Sequence, residues 1–302
     1  MEGSNNSETP PINPFEQQFA RKEVIQTTAG PTEIVDIKPK IQKDNVPILL
    51  APGWGDTPQA YKQSLKIIHD DTRRVLSVSH PRRGENITGE DPDYPMAEIR
   101  KMQALIGVIS QKRLEKVDVI AHSEGAINAI IAATLHPEKF RNIVLVNPGG
   151  LIGEDKLRKL VVRMLDSSIH DITQAMRNSS ERGPLTNAAK EIARYFATNP
   201  KRAIEEVNAM AKSDILEMVK NLHDGGIGIS VVAGVRDPIF PINRMVEALR
   251  NSEDAIDGFY SVKGGHNKLL ADPEYTKDAL NALDGLRYKH QESFPSEALG
   301  TG

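Results

Sequence analysis

The sequence predicts an α/β fold: a mostly parallel, doubly wound sheet flanked by helices, interrupted once by a helical insertion. Three observations predict it. Short apolar runs of strand type alternate with segments whose apolar residues recur every three or four positions, first up to residue 150 and again from 227 to 288. Between them, residues 151–226 keep the helical period and contain no strand-like run. Polar or glycine-rich interruptions close four of the strands, at Gly53-Trp54, Ser123, Asp237 and His266. In such sheets ligands bind at the carboxyl ends of the strands. The expected organisation is a core domain of 16–150 and 227–288, a helical insertion of 151–226, and disordered tails at 1–15 and 289–302.

Taken in order, Val24–Thr28 and Thr32–Ile37 flank Ala29-Gly30-Pro31 and read as a hairpin opening the sheet. Pro47–Ala51 is a buried-type strand, broken by Pro52-Gly53-Trp54-Gly55-Asp56-Thr57. A helix follows with Tyr61, Leu65 and Ile68 on one face, then a strand at Arg74–Val78 and a polar loop at 79–86. Ile99, Met102, Leu105, Ile106 and Ile109 place a helix just before the strand at Val117. Asn142–Val146 is the next strand, ended by Asn147-Pro148-Gly149-Gly150.

The insertion shows four helical faces, begun by Leu157, Ile192, Ile204 and Ile215. Asn199-Pro200 supplies an N-cap and a first helical position. Ile229–Ala233 resumes the sheet and leads to a helix with Met245, Val246 and Leu249. Phe259–Val262 is the last strand. The closing helix starts at Asp272-Pro273 and is expected to turn Tyr275, Ala279, Leu280 and Leu283 inward.

Composition narrows the function. The 302 residues carry 38 Lys and Arg against 41 Asp and Glu, a formal net charge of −3, with no basic stripe, which argues against nucleic acid as a partner. Without cysteine there is no disulfide, thiolate nucleophile or Cys-ligated zinc. Residues 1–21 lack the apolar core of a signal peptide and no later run is long enough to span a membrane, so the expected location is cytoplasmic. Oligomeric state is not legible. Gly149, Gly150 and Gly153 do not form a dinucleotide-binding pattern, and no His-rich or H-E-x-x-H motif occurs, so neither cofactor nor metal is expected.

The stretch from Val117 to Ile131 organises the chain. An apolar run ends at Ala121-His122-Ser123-Glu124-Gly125, and helical spacing begins at once with Ile127, Ile130, Ile131 and Leu135. The chain must turn from strand to helix within a few residues, with Ser123 on the bend and the following N–H groups pointing where an oxyanion would form. A serine capping a helix after such a turn is the simpler alternative.

This stretch resembles the nucleophile elbow of the α/β-hydrolase superfamily, G-x-S-x-G, with Ala121 in place of the first glycine. Val231-Val232-Ala233-Gly234-x-x-Asp237-x-x-x-Pro241 resembles the family's acid loop, and Gly264-Gly265-His266-Asn267 its histidine loop. Pro52-Gly53-Trp54-Gly55 is similar to its oxyanion loop, where Pro52 stands in a position more often His. The resemblance spans roughly 24–288. It implies the α/β-hydrolase fold with a helical cap at 151–226, and a triad of Ser123 as nucleophile, His266 as base and Asp237 as orienting acid. Some relatives carry the acid one strand earlier, which points to Glu154 or Asp155. The backbone N–H groups of Trp54 and Glu124 are the implied oxyanion donors.

A Glu124 carboxylate aimed at that site would repel the developing charge, so it should turn away and pair, with Arg82 or Arg83 the expected partner. Gly53, His122, Met164, Met210 and Met218 are the candidate substrate contacts. The implied activity is that of a serine esterase or lactonase acting on a small ester or lactone through an acyl-enzyme. Thioesterase, aminopeptidase, C–C hydrolase and perhydrolase activities use the same triad, and a binding protein on a hydrolase scaffold is the alternative from another class.

Overall fold

The computed structural model describes residues 13–293 except 71, 81–95, 178, 199, 253, 268, 269 and 271. Eight strands form one sheet: β1 (Glu23–Thr27), β2 (Gly30–Ile37), β3 (Ile48–Ala51), β4 (Val75–Ser79), β5 (Val117–His122), β6 (Phe140–Val146), β7 (Gly228–Gly234) and β8 (Gly258–Val262). Their spatial order is β1-β2-β4-β3-β5-β6-β7-β8. β2 pairs antiparallel with both β1 and β4, and every other pairing is parallel. The described helices are α1 (Pro14–Ala20), α2 (Lys62–His69), α3 (Met96–Gln111), α4 (Gly125–Leu135), α5 (Leu157–Arg177), α6 (Ser179–Thr198), α7 (Pro200–Lys212), α8 (Leu216–Asp224), α9 (Ile242–Arg250) and α10 (Glu274–Ser293).

Alternation along the strands divides the core into two layers. On β3, Leu49 and Ala51 join the layer under α3, α4 and the insertion, whereas Ile48 and Leu50 join the one under α1, α2 and α10. α4 is the central helix. Its Ala and Ile residues are buried on all sides from Gly125 to Ala133, which is why it shows no amphipathic stripe, and only its end, at Leu135, reaches solvent.

Three expectations differ from what is observed. Pro14 and Phe15, read as the end of a tail, belong to α1, which Asn13 caps by accepting from the Phe15 N–H, and which buries Phe15 and Phe19. Tyr275 is 49% exposed, because the buried stripe of α10 runs through Thr276, Ala279, Leu280 and Leu283 and Tyr275 falls at its edge in the first turn. α10 also runs past 288, to Ser293. Asn199, the expected cap, and the tail residues 1–12 and 294–302 lie outside the described residues; Pro200 does begin α7.

The amino-terminal end of the sheet is fastened by charge. Asp118, fully buried on β5, accepts from Arg73 and Arg141, and the same arginines pair with Asp44 and Asp284. The carboxyl end, by contrast, is all loops and glycines. The insertion begins on that side after β6, and α8 runs back along α4 and β7 to the amino-terminal end, where β7 starts.

Candidate active site

Ser123 stands where β5 stops. Its φ of 55° is left-handed, a conformation that costs an L-residue on the order of 1–3 kcal/mol and must be held by its surroundings. They hold it firmly: Ser123 donates its N–H to the Val146 carbonyl, and its own carbonyl accepts from Ala126 and Gly149. Gly125 is required at the close approach, since a Cβ there would lie 2.4 Å from the Ala51 carbonyl oxygen. α4 begins without a side-chain cap, and the Ser123 hydroxyl points instead to His266.

His266 Nε2 lies 2.9 Å from Ser123 Oγ, and Nδ1 lies 2.8 Å from Asp237 Oδ2. The other Asp237 oxygen accepts from the N–H groups of Ile239 and Phe240, so the carboxylate is fixed in the loop after β7. The alternative acids are elsewhere. Asp155 pairs with Arg163 and Arg244, and Glu154 is exposed. Asn147 joins the loops: its Nδ2 donates to the His266 carbonyl at 2.6 Å and its Oδ1 accepts from Gly234 N–H at 2.7 Å. A line of this kind can carry a proton from the hydroxyl to the imidazole while the carboxylate stabilises the cation formed.

Beside the serine, the amide N–H groups of Trp54 and Glu124 have no acceptor among the described residues. The loop carrying Trp54 is pinned from behind: Gly53 N–H donates to the Tyr61 hydroxyl at 2.8 Å. Tyr61 also lies 2.8 Å from Asp56 Oδ2 and 2.8 Å from His122 Nδ1. Burial pushes the Asp56 carboxyl up to about 7 and drives the His122 imidazole down to about 3, so His122 is neutral at physiological pH. While Asp56 is ionised Tyr61 donates to it; protonating Asp56 frees that hydroxyl proton for His122. His122 Nε2 meets the His266 carbonyl at 3.3 Å, and its ring packs on the His266 ring at 5.0 Å.

Gly53, Trp54, Ser123 and His266 open onto a cavity of about 570 Å³ whose far wall comes from α5, α6 and α7. Val161, Leu165, Phe196 and Ile204 look exposed by accessibility, yet the surface that they expose includes this lining. Met164, Met210, Gly53 and His122, singled out in the sequence, line it. Met218 does not. It sits on α8 and packs into the sheet-side core, because α8 lies against α4 and β7 rather than over the serine.

Glu124 does turn from the site, but to Lys101, which also meets Glu206 Oε2 at 3.3 Å. Arg82 and Arg83 lie outside the described residues. Lys101 was invisible to sequence reasoning because it is an interior α3 position with no motif around it. The only sequence signal was a lysine on the apolar side of a helix, where it is 3% exposed.

The family model described as the alpha/beta hydrolase fold matches residues 46–228. The chain belongs to the α/β-hydrolase family. Among curated relatives of this α/β hydrolase, it is 23% identical to a protein of Mycoplasma pneumoniae named as an esterase/lipase, over 84% of this chain and 94% of that one. It is 22% identical to a protein of Mycobacterium phage D29 named as a non-heme haloperoxidase, over 79% of this chain and 88% of that one. A thermophilic esterase from Thermogutta terrifontis superposes with a TM-score of 0.61 at 18% identity, over 89% of this chain and 98% of the other. Among the described residues no helix is long and apolar enough to cross a membrane.

Proposed function

We propose that this α/β hydrolase is a serine esterase that cleaves carboxylic esters, lactones included, of flexible apolar acids. One observation carries the reading: the Ser123 hydroxyl, 2.9 Å from an imidazole that is itself bonded to a buried carboxylate, faces an apolar cavity. Ser123 Oγ attacks the carbonyl carbon as its proton passes to His266 Nε2. The carbonyl electron pair moves onto oxygen, which the N–H groups of Trp54 and Glu124 receive. As the tetrahedral adduct collapses, the C–O bond to the leaving alcohol breaks and His266 protonates that oxygen. Water, deprotonated by His266, then attacks the acyl-enzyme and Ser123 leaves with the proton.

The helical insertion acts as a cap that selects the acyl chain. Among the described residues no lysine or arginine lines the cavity, so nothing there compensates an anionic substrate group, whereas methionines and aliphatic side chains suit a flexible hydrocarbon. The test is a fluorophosphonate probe with a panel of p-nitrophenyl esters, lactones and thioesters. Labelling and hydrolysis in the wild type, both lost in Ser123→Ala, support the reading. Well-folded protein that neither labels nor turns over any of them is a binding protein on a hydrolase scaffold.

A further inference from the structure

Next to the two free amides lies a buried cluster of charge that the hydrolysis steps leave unused. α3 contributes Glu98 and Lys101, the elbow Glu124, α6 Tyr195, and α7 Arg202 and Glu206. Glu98, Glu124 and Glu206 are fully buried. Charges in such a place are tolerated only when they satisfy one another. Burial, and next to it the Glu124 carboxylate, hold the Glu98 carboxyl well above the usual range, so it stays neutral. Glu124 and Glu206 are then matched by Lys101 and Arg202, whose Nε donates to Glu206 Oε1 at 3.0 Å.

The cluster reaches both amides by separate routes that end on one atom. Glu124, which supplies one amide, has its carboxylate held by Lys101, and Lys101 meets Glu206 Oε2. Trp54, which supplies the other, takes the Tyr195 ring edge-on at 6.0 Å, and the Tyr195 hydroxyl donates to the same Glu206 Oε2 at 2.7 Å. The neighbouring Gly55 leaves room for that ring, since a Cβ there would come within 3.2 Å of it. Trp54, Lys101 and Glu124 belong to the core domain; Tyr195 and Glu206 belong to the cap.

We propose that Lys101 and Glu206 are positioning residues for the oxyanion site, and that seating the cap on Glu206 Oε2 is what completes that site. With the cap seated, Lys101 keeps the Glu124 carboxylate from the position where the oxyanion forms, and Tyr195 fixes the Trp54 loop. With the cap lifted, Lys101 loses one of its two carboxylates and Trp54 loses its buttress. Binding a substrate that closes the cap therefore also assembles the catalytic electrostatics. This rests on the serine mechanism above.

The experiment compares wild type, Lys101→Met, Glu206→Gln and the double variant Lys101→Met/Glu124→Gln on one p-nitrophenyl ester, reading kcat and KM separately. Inhibition by a trifluoromethyl ketone, which forms an oxyanion adduct with the serine, is measured alongside, with melting temperatures. Lys101→Met should lower kcat by about 100-fold and weaken the ketone to match, with KM changing about threefold or less, since the loss falls on the transition state. Removing the stranded charge in the double variant should recover about tenfold of that loss. An unchanged kcat in Lys101→Met, or a double variant no better than the single, overturns the inference. Should Lys101→Met fail to fold, Glu206→Gln decides: it keeps the shape and the Tyr195 contact, and should lower kcat about tenfold more than it raises KM. Equal effects on both, or none, overturn the proposal. A wild type that hydrolyses nothing and resists the fluorophosphonate sinks the serine reading and this one together; an active wild type with indifferent variants sinks this one alone.

Discussion

On the proposed serine mechanism Ser123 and His266 act as one unit, so their replacements should not multiply. Ser123→Ala or His266→Ala is each expected to lower kcat by several orders of magnitude, and the double variant by little more. Multiplicative losses in steady-state rates would mean that the two do not act in one step. A second single-residue prediction concerns Asp56. In the fold it keeps its proton up to about pH 7, in the unfolded chain only to about the ordinary 3.8, so the folded state binds more protons across that window. Its contribution to stability therefore declines as pH rises from about 4 to about 7, by at most roughly 1.4 kcal/mol per pH unit. His122 works in the opposite sense, staying neutral in the fold down to about 3 against an ordinary 6.5. Asp56→Asn removes only the declining contribution. The melting temperature of the variant relative to wild type should climb from pH 4 to 7 and then level; a difference flat with pH would show that Asp56 ionises normally.

Where β5 passes into α4, backbone meets backbone and side chains have no room. Gly125→Ala places a Cβ 2.4 Å from one carbonyl oxygen and 2.7 Å from the next, neither of which can move without disturbing β3 or the Trp54 loop. A loss of at least about 2 kcal/mol in urea unfolding is expected, larger than an ordinary glycine-to-alanine change in a helix, which stabilises. The helices of the insertion make a different prediction, if they select the acyl chain as proposed. Each added buried methylene contributes at most about 0.8 kcal/mol, so kcat/KM should rise roughly fourfold per carbon along an ester series and fall once the cavity is full. Val207→Trp, which fills part of the lining, should move the optimum to shorter chains. An optimum that stays in place would mean that the acyl chain does not enter under α7.

The molecule keeps its stability and its chemistry at opposite ends of the sheet. Asp118→Ala would leave Arg73 and Arg141 with only Asp44 and Asp284 at the amino-terminal end, costing up to about 3 kcal/mol, while kcat of the folded protein at 25 °C should stay within about twofold of wild type. A matching fall in kcat would show that the two ends are coupled. The same division explains what could be read in advance. Strands and helices announced themselves by period, and Ser123, Asp237 and His266 could be picked out because each follows an apolar run that stops abruptly. The Glu124–Lys101–Glu206 contact could not, because it depends on how α3 and α7 lie against the elbow, and no local pattern records that. Met218 was misplaced for the same reason: helical spacing tells which residues share a face, not which neighbour that face meets. α1 was missed because two turns in a Pro- and Asn-rich stretch carry too few apolar positions to show a period, and only Phe15 and Phe19 meeting α2 and the sheet make it a helix.

The insertion between neighbouring strands also bears on how the chain is made. β6 and β7 lie side by side in register, Asn142 opposite Gly228, yet all of 147–227 is synthesised between them. On the ribosome, at typical elongation rates, the nascent chain therefore carries β6 with one hydrogen-bonding edge unpaired for on the order of ten seconds. The serine has finished its strand and its turn well before the histidine that would activate it has been translated.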